Sequence, residues 1–367
     1  VPVDVIICHH HGRDRLAACL AALYGGTHVP QRVVVVDNAS RDGSAELLHE
    51  QYPQVQVLQS AVNLGFVRGN MLAYRTLQDA PNPYLWLLNN DTVVSADCLH
   101  ALYQTLEHAP SIAAVQPKMI SIPYAGRFDY AGGAGGYLDR YGFPFARGRL
   151  LTTLEADEGQ YDTPAYILWA SGASFFVRHA VTQEVDLFDE SYYAVSEEID
   201  LSWRIWLRGY HVVAQPRAVV WHHGGFTPDS MHAQGMYYRH RNSIMTLLKN
   251  ASRRQLRRVL PMRILLELLA ILYALSQGDA RYAYAVMRSA AWLVRHMRMI
   301  MRQRHYVQTT LRTVSDEALQ HLFYPRSIAL TYYLGRVRHF SALDWRGAHA
   351  RQVAINAIDT AQTLPDH

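Results

Sequence analysis

The sequence predicts an α/β chain, with a doubly wound, mainly parallel sheet followed by a helical module. Three observations predict it. Strand-like and helical runs alternate strictly over residues 3–108, polar groups close the strands, and strand character stops after Gly225.

Residues 3–8 are a short β-branched run ending in polar residues, the pattern of a buried strand. Residues 13–24 place Leu16, Leu20 and Leu23 at helical spacing, and Gly25-Gly26 stops the helix. Val33 to Val36 are four consecutive valines, a run buried on both faces as in a parallel sheet. Residues 40–51 read as a helix, with Ser40 as its cap and Pro53 just beyond its end. Strands at 55–58 and 84–88 alternate with helices at 65–77 and 95–108. Residues 121–165 differ. Gly132-Gly133 and Gly135-Gly136 sit among tyrosines and prolines, which predicts an irregular insertion or hairpin; a phosphate-cradling G-x-G-x-x-G between strand and helix is missing. Strand character returns at 174–177 and 212–221, and helices are predicted at 236–250, 257–275 and 281–304.

Length and composition bound the rest. With 367 residues, 50% hydrophobic and 18% charged, the chain is globular and has room for a large α/β core plus a smaller module. The expected division is 1–232, 233–316 and a C-terminal extension 317–367. Cys8, Cys19 and Cys98 are an odd count in apolar stretches without framework spacing, as expected of reduced structural thiols in a cytosolic protein. Val1 leads directly into a strand-like run without a basic n-region or cleavage site, so no signal peptide is expected. The net charge of +4 is uneven, with arginine clustered after about residue 250. In 281–304, Arg281, Arg288, Arg295 and Arg302 recur every seven residues opposite Val286, Leu293 and Ile300. Such a basic amphipathic helix suits an anionic membrane surface, or else packs on the core with a solvated arginine face. The apolar segment 264–275 is read as too short to cross a bilayer, with Glu267 interrupting it.

In open sheets of this kind, ligands bind outside the carboxyl ends of the strands, so the polar groups there are the candidates for chemistry. They are His9-His10-His11, Asp37-Asn38, Asn63-Leu64-Gly65 and Asn89-Asn90-Asp91. Asp37, closing the valine strand, can accept hydrogen bonds from a ribose or base, or cap its own turn. Asn63-Leu64-Gly65-Phe66-Val67-Arg68-Gly69 opens a helix with two glycines four apart; Arg68 can neutralise phosphate or face water. Asp91 is a carboxylate of the kind that holds Mg²⁺ or Mn²⁺ against phosphates, whereas Asn89 offers only a neutral carbonyl. Glu197, Glu198 and Asp200 crowd the first turn of a helix, where the dipole stabilises them and where crowding raises a carboxylate's pKa toward that of a general base. Tyr192 and Tyr193 are flat walls for a sugar ring, and His222-His223 closes the last strand as a candidate metal ligand and its neighbour.

In this order, these segments resemble the inverting family 2 glycosyltransferases with the GT-A fold, and among them the bacterial rhamnosyltransferase-like enzymes of cell-surface polysaccharide synthesis. The resemblance covers residues 3–250. It implies that Asp37, with His10, Asn63, Gly65, Arg68, Asn89 and Asn90, lies at the nucleotide-sugar donor. It implies that Asp91, with His222 or in its place His223, holds the metal. It implies a catalytic base at Glu198, and an acceptor near Tyr192, Tyr193 and Glu197. The chain departs from the family pattern at His10-His11, where Tyr-Asn is usual, at Met71, and at Glu198, where the base is usually Asp. Glutamate reaches a methylene further, so the acceptor would sit differently or Asp200 would serve as base.

The expected function is therefore metal-dependent, inverting transfer of a sugar, such as rhamnose, from a nucleoside-diphosphate sugar to a glycan or lipid-linked acceptor. The expected cofactor is Mg²⁺ or Mn²⁺, and the expected place is the cytoplasmic, inner face of a bacterial membrane, with an anionic membrane surface and no nucleic acid among the partners. The rival expectations are a non-catalytic glycan-binding or scaffold module and a sugar nucleotidyltransferase; the latter wants a lysine- and arginine-rich glycine loop where this chain has His9-His10-His11-Gly12-Arg13.

Overall fold

The computed structural model describes residues 1–224 and 233–345; Gly225 and the part of the expected extension after Trp345 lie outside the described residues. The chain begins as β1 (Val3–His9), α1 (Arg13–Tyr24), β2 (Arg32–Asn38), α2 (Ser44–Gln51), β3 (Gln56–Ser60), α3 (Gly65–Thr76), β4 (Tyr84–Leu88), β5 (Thr92–Val94), α4 (Cys98–His108) and β6 (Ile112–Ser121). It continues through β7 (Gly136–Asp139), β8 (Pro144–Ala146), β9 (Arg149–Leu150), β10 (Thr153–Leu154), β11 (Ala165–Tyr166), β12 (Ser174–Arg178), α5 (His179–Val185), α6 (Glu197–Leu207) and β13 (His211–His222). Beyond residue 232 come α7 (Ala233–Asn250), α8 (Arg253–Ser276), α9 (Ala280–Arg295), α10 (Met297–Tyr306), α11 (Asp316–Leu319), β14 (Phe323–Tyr324) and α12 (Ile328–Tyr333).

β3, β2, β1 and β4 lie side by side in parallel. β12 enters antiparallel between β4 and β6, β13 runs parallel to β6, and β5 and β11 pair antiparallel with β13. The valine run of β2 is buried on both faces, as its composition requires. Val33 and Val35 join Leu16, Leu20 and Leu102 in one core, while Val34 and Val36 join Val67, Ala73 and Leu201 in the other.

Several elements differ from expectation. β6 is wholly buried but was not predicted, because Gln116-Pro117-Lys118 interrupts its apolar run. Those polar groups are matched inside: Gln116 accepts from Ser171 N–H and donates to Gly132 and Gly133 carbonyls, and Lys118 pairs with Asp157 and Asp162. α2 starts four residues later than its expected cap, after Gly43 at φ 80°, because Ser40 gives its N–H to Asp37 Oδ1 (2.9 Å) and stays in the turn. The 281–304 helix breaks at His296, whose ring stacks on Trp292, into α9 and α10. The insertion forms a second sheet, β10-β9-β8-β7-β14, and its last strand comes from the expected C-terminal extension. Phe340 and Trp345 pack on Tyr137 and Phe145 there, so one apolar core runs across the expected boundaries at 232 and 316.

β13 positions the site. Its register against β6 slips between Gln215 and Val219, where Pro216 stands, and the slip re-aims the strand's end. Beyond it, β5 turns back against β13, and His222 comes opposite Thr92.

Candidate active site

The end of β4 carries Asn89-Asn90-Asp91. Asn89 gives its N–H to the Ala173 carbonyl (2.9 Å), and Thr92 Oγ donates back to the Asn89 carbonyl (2.8 Å). Because Thr92 pairs with His222, the histidine ring arrives beside the carboxylate: His222 Nε2 is 3.3 Å from Asp91 Oδ1 and 3.4 Å from Asn89 Nδ2. On its other side, Nδ1 donates to Asp129 Oδ1 (3.0 Å). Asp129 is buried, also accepts the Ala131 N–H (2.7 Å), and among the described residues has no hydrogen-bond partner for Oδ2. Burial works against a charged imidazole, but Asp129 and Asp91 outweigh it and hold His222 up to about 10. Burial likewise opposes the Asp91 carboxylate, and His222 with Arg15 reverses that and lowers its pKa. A Cβ at Gly224 would meet the His222 ring at 2.7 Å and Asp91 at 3.2 Å, so only glycine lets the chain cross this pair. His223 supplies its backbone N–H to the Asp91 carbonyl (2.9 Å); the ring at the carboxylate belongs to His222.

Among the described residues, no group of three or more His, Cys, Asp or Glu side chains gathers to hold a metal by itself. Asp91 and His222 fit a different arrangement. One carboxylate and one imidazole leave most of a hard cation's shell to phosphate oxygens and water, as Mg²⁺ and Mn²⁺ prefer. Asp129 fixes the ring from behind, the usual relation of a carboxylate to a ligating histidine.

The head of α6 carries the other acidic cluster. Val195 and Ser196 both have positive φ (72° and 71°), a strained turn for residues with side chains. The buried Asn242 of α7 holds it, donating to the carbonyls of Ala194 (2.8 Å) and Val195 (2.6 Å). The turn aims its carboxylates differently. Glu197 is buried, its Oε2 has no partner among the described residues, and burial with the Glu198 charge raises its pKa far above the usual range. Glu198 is half-buried beside Phe66 and the Gly172 loop, where a Cβ on Gly172 would lie 3.7 Å from its own. Burial pushes Glu198 up to about 7, against the pull of backbone N–H groups and Arg239. Arg239 also donates to Tyr130 (2.6 Å), the neighbour of Asp129. Arg239 thus bears on both clusters, by its charge on Glu198 and by its bond to the residue after Asp129, and the loop whose Ala173 carbonyl takes the Asn89 N–H also carries Gly172 beside Glu198.

Two expected roles are corrected. Asp200 is fully buried and accepts from Arg204 (2.9 Å), Lys249 (3.0 Å) and Asn250 (2.8 Å); burial pushes its pKa up, but the Lys249 and Arg204 charges, with the Asn250 amide, bring it down. It anchors α6 to α7 and has no access to an acceptor hydroxyl. Tyr192 is also buried, with its hydroxyl against Thr246 (2.7 Å), so it cannot wall a sugar. Tyr193 is exposed, stacks on Tyr238 at 5.4 Å, and covers Gly65, where a Cβ would lie 2.6 Å from its ring. That contact and a φ of 75° account for glycine at 65. Arg68 is exposed, with the Glu190 carboxylate 3.9 Å away, which matches the water-facing alternative.

On the donor side, His10 is exposed and its Nδ1 meets the Asn38 carbonyl (2.8 Å). Asp37 is buried and spends Oδ1 on Ser40. Asn63 accepts the Gly65 N–H (2.8 Å) in a local turn, and Asn38 grips the same loop, accepting the Leu64 N–H (3.1 Å) and donating to the Gly65 carbonyl (3.1 Å). Asn90 donates to His9 Nδ1 (2.8 Å), His9 Nε2 meets Ser44 Oγ (2.8 Å), and Asp42 receives the N–H groups of Gly12 and Arg13 at the start of α1. Asp129 carried no motif that marked it.

Residues 4–130 match the model of glycosyl transferase family 2, and residues 84–302 that of glycosyl transferase family group 2. The N-acetylglucosaminyl-diphospho-decaprenol L-rhamnosyltransferase of Mycobacterium tuberculosis is 27% identical over 264 residues, 67% of this chain and 83% of that protein. Among solved structures, GalNAc-T7 with UDP, GalNAc and Mn²⁺ aligns with a TM-score of 0.52 at 16% identity, over 67% of this chain and 47% of that one; this chain spans about half of GalNAc-T7. The mannosyltransferase PcManGT of Pyrobaculum calidifontis, in complex with GDP-Man and Mn²⁺, aligns over 83% of this chain and 84% of its own at 14% identity, with a TM-score of 0.48. The GalNAc-T7 likeness supports the mixed α/β, GT-A type fold. The second family model spans residues 84–302 of the 367, including Asn89, Asp91, Glu198 and His222, and the chain belongs to the family 2 glycosyltransferases.

Proposed function

We propose that this chain transfers a sugar, with inversion, from a nucleoside-diphosphate sugar to a hydroxyl of a lipid-linked acceptor during cell-surface polysaccharide synthesis, at the cytoplasmic face of the membrane. The observation that carries the reading is Glu198. It is a half-open carboxylate pushed up to about 7, and Arg239, whose charge acts on it, bonds Tyr130, the neighbour in sequence of the Asp129 that holds His222. The Mycobacterium tuberculosis relative supports rhamnose as the sugar and a lipid-linked diphosphate acceptor.

Asp91 and His222 would hold Mg²⁺ or Mn²⁺ against the donor diphosphate, and the bound cation supplies neutralisation of the charge that gathers on the leaving group. For this His222 gives up the proton on Nε2, while Asp129 keeps the one on Nδ1 in place. Tyr193 and Tyr238 offer the exposed aromatic wall to the acceptor. Glu198 takes the proton of the acceptor hydroxyl as its oxygen bonds to the anomeric carbon from the face opposite the diphosphate. The anomeric C–O bond to the nucleoside diphosphate breaks in the same displacement, and no covalent enzyme intermediate forms. The carboxylate must be unprotonated to act, so transfer rises with pH through about 7.

The test is a panel of nucleoside-diphosphate sugars with Mn²⁺ and a lipid-diphosphate acceptor, read by product analysis and thermal shift. Glu198→Gln is expected to keep donor binding and lose transfer. Near-normal turnover of that variant would remove Glu198 from the chemistry. Absence of both transfer and donor hydrolysis in the unaltered protein would favour the glycan-binding scaffold.

A further inference from the structure

From Arg263 onward, α8 turns its two charged groups inward and most of its leucines outward. Arg263 is buried and donates to Glu267 Oε1 (2.8 Å), the Tyr141 carbonyl (2.8 Å) and Ser243 Oγ (2.7 Å). Glu267 also bonds His240 (2.5 Å). On the opposite side, Ile264, Leu265, Leu268, Leu269, Leu272 and Leu275 are each 46–62% exposed. The neighbouring α9 also exposes Tyr284, Met287 and Val294. A continuous apolar ridge of this length is not a surface that water alone selects.

The charge around the ridge has one sign. Residues 253–306 hold eleven arginines and two acidic residues, Glu267 and Asp279. Glu267 is consumed in the buried network, and Asp279 caps α9 by accepting the Tyr282 N–H (2.9 Å). Arg253, Arg254, Arg257 and Arg258 are exposed on the first turns of α8, and Arg281, Arg288, Arg295 and Arg302 are exposed on α9 and α10. We propose that the outward face of α8, with the α9 residues beside it, docks on an anionic lipid bilayer: leucines enter the acyl boundary and the flanking arginines meet lipid phosphates.

Two other occupants fit less well. A second copy would bring two arginine-rich faces together with Asp279, already engaged as the cap of α9, as the exposed acid of residues 253–306. Spanning is the other possibility, since α8 has 24 residues and is apolar enough by length and composition to cross a membrane. This corrects the expectation that the segment is too short. Crossing, however, would tear Arg263 and Glu267 from Tyr141, Ser243 and His240 and carry them into hydrocarbon, whereas lying in the interface keeps every one of those bonds. The inference also shifts the expected contact from the arginine stripe of 281–304 to the leucine ridge of α8, with arginine as the flank. It deepens the reading that the acceptor is lipid-linked but does not need sugar transfer to be observed.

The experiment is flotation of the full chain with vesicles of phosphatidylglycerol and phosphatidylcholine, or of phosphatidylcholine alone, together with light scattering and donor thermal shift. The chain is expected to float with the anionic vesicles at least ten times more tightly than with the neutral ones. Leu268→Glu with Leu272→Glu should lower that binding at least tenfold while the donor-induced thermal shift stays unchanged, which separates docking from fold and donor site. No flotation with anionic vesicles, or flotation insensitive to the double substitution, overturns the proposal. A dimer in solution that the double substitution dissociates, without vesicle binding, overturns it in favour of self-association. Vesicle binding without any sugar transfer would leave docking standing and reject the proposed reaction, and the converse result would do the reverse.

Discussion

The two acidic clusters, around His222 and at the head of α6, are built from the same side-chain chemistry and behave in opposite ways. Asp91 and Asp129 close around one imidazole, and the mutual charges keep the carboxylate ionised in spite of burial. Glu197 is buried and Glu198 half-buried, neither pairs with a cation among the described residues, and burial dominates, raising both. The first arrangement suits holding positive charge; the second suits accepting a proton near neutrality. Asp200 sharpens the lesson. It lies two residues from Glu198 on the same helix, yet Lys249 and Arg204 make it a fixed anion.

The comparison can be broken most forcefully at Glu198. Replacement by glutamine should reduce kcat by about 10²–10⁴-fold, with donor affinity retained, as single-turnover assays and titration with a nucleoside-diphosphate sugar would report. Asp200→Asn should act on stability instead. Leaving Lys249 and Arg204 partly uncompensated should cost about 3–5 kcal/mol in chemical denaturation, while transfer per folded molecule persists. Loss of transfer at full stability would mean that Asp200 is chemical after all. Asp129→Asn should weaken Mn²⁺ binding in the presence of a nucleoside diphosphate by about 10–100-fold, measurable by electron paramagnetic resonance without turnover. An unchanged affinity would reduce Asp129 to packing. The smallest effect belongs to Arg239→Gln. Removing a cation that favours the Glu198 anion should move the acidic limb of the kcat/KM profile to higher pH, lowering the rate at neutral pH by less than about tenfold; a limb that stays put would disconnect the two clusters.

Elements with a clean period were legible. The valines of β2, the leucines of α1 and the short apolar run of β4 stand where their spacing put them. β6 was not legible because its polar centre is satisfied only by residues far away, Ser171 and Asp157 among them. The helix cap at Ser40 failed for a related reason: a local Asp37 contact competed for its backbone. At the site, the strand ends could be identified as the place for chemistry. Spacing alone treated Glu197, Glu198 and Asp200 as equals, and Tyr192 and Tyr193 as a pair. Their separation rests on α7, which brings Asn242, Thr246, Lys249 and Asn250 against one side of that turn.

By itself, the sequence determined the alternation of strand and helix, the polar strand ends and the excess of arginine after residue 250, because each is written in neighbouring residues. Tertiary structure decided which carboxylate stays charged, which histidine faces Asp91, and which side of α8 looks outward. Those outcomes depend on burial and on partners distant in the chain, such as Asp129 for His222, Lys249 for Asp200 and Ser243 for Arg263. A charge's behaviour is set by the dielectric and the counter-charges around it, and these exist only once the chain has folded.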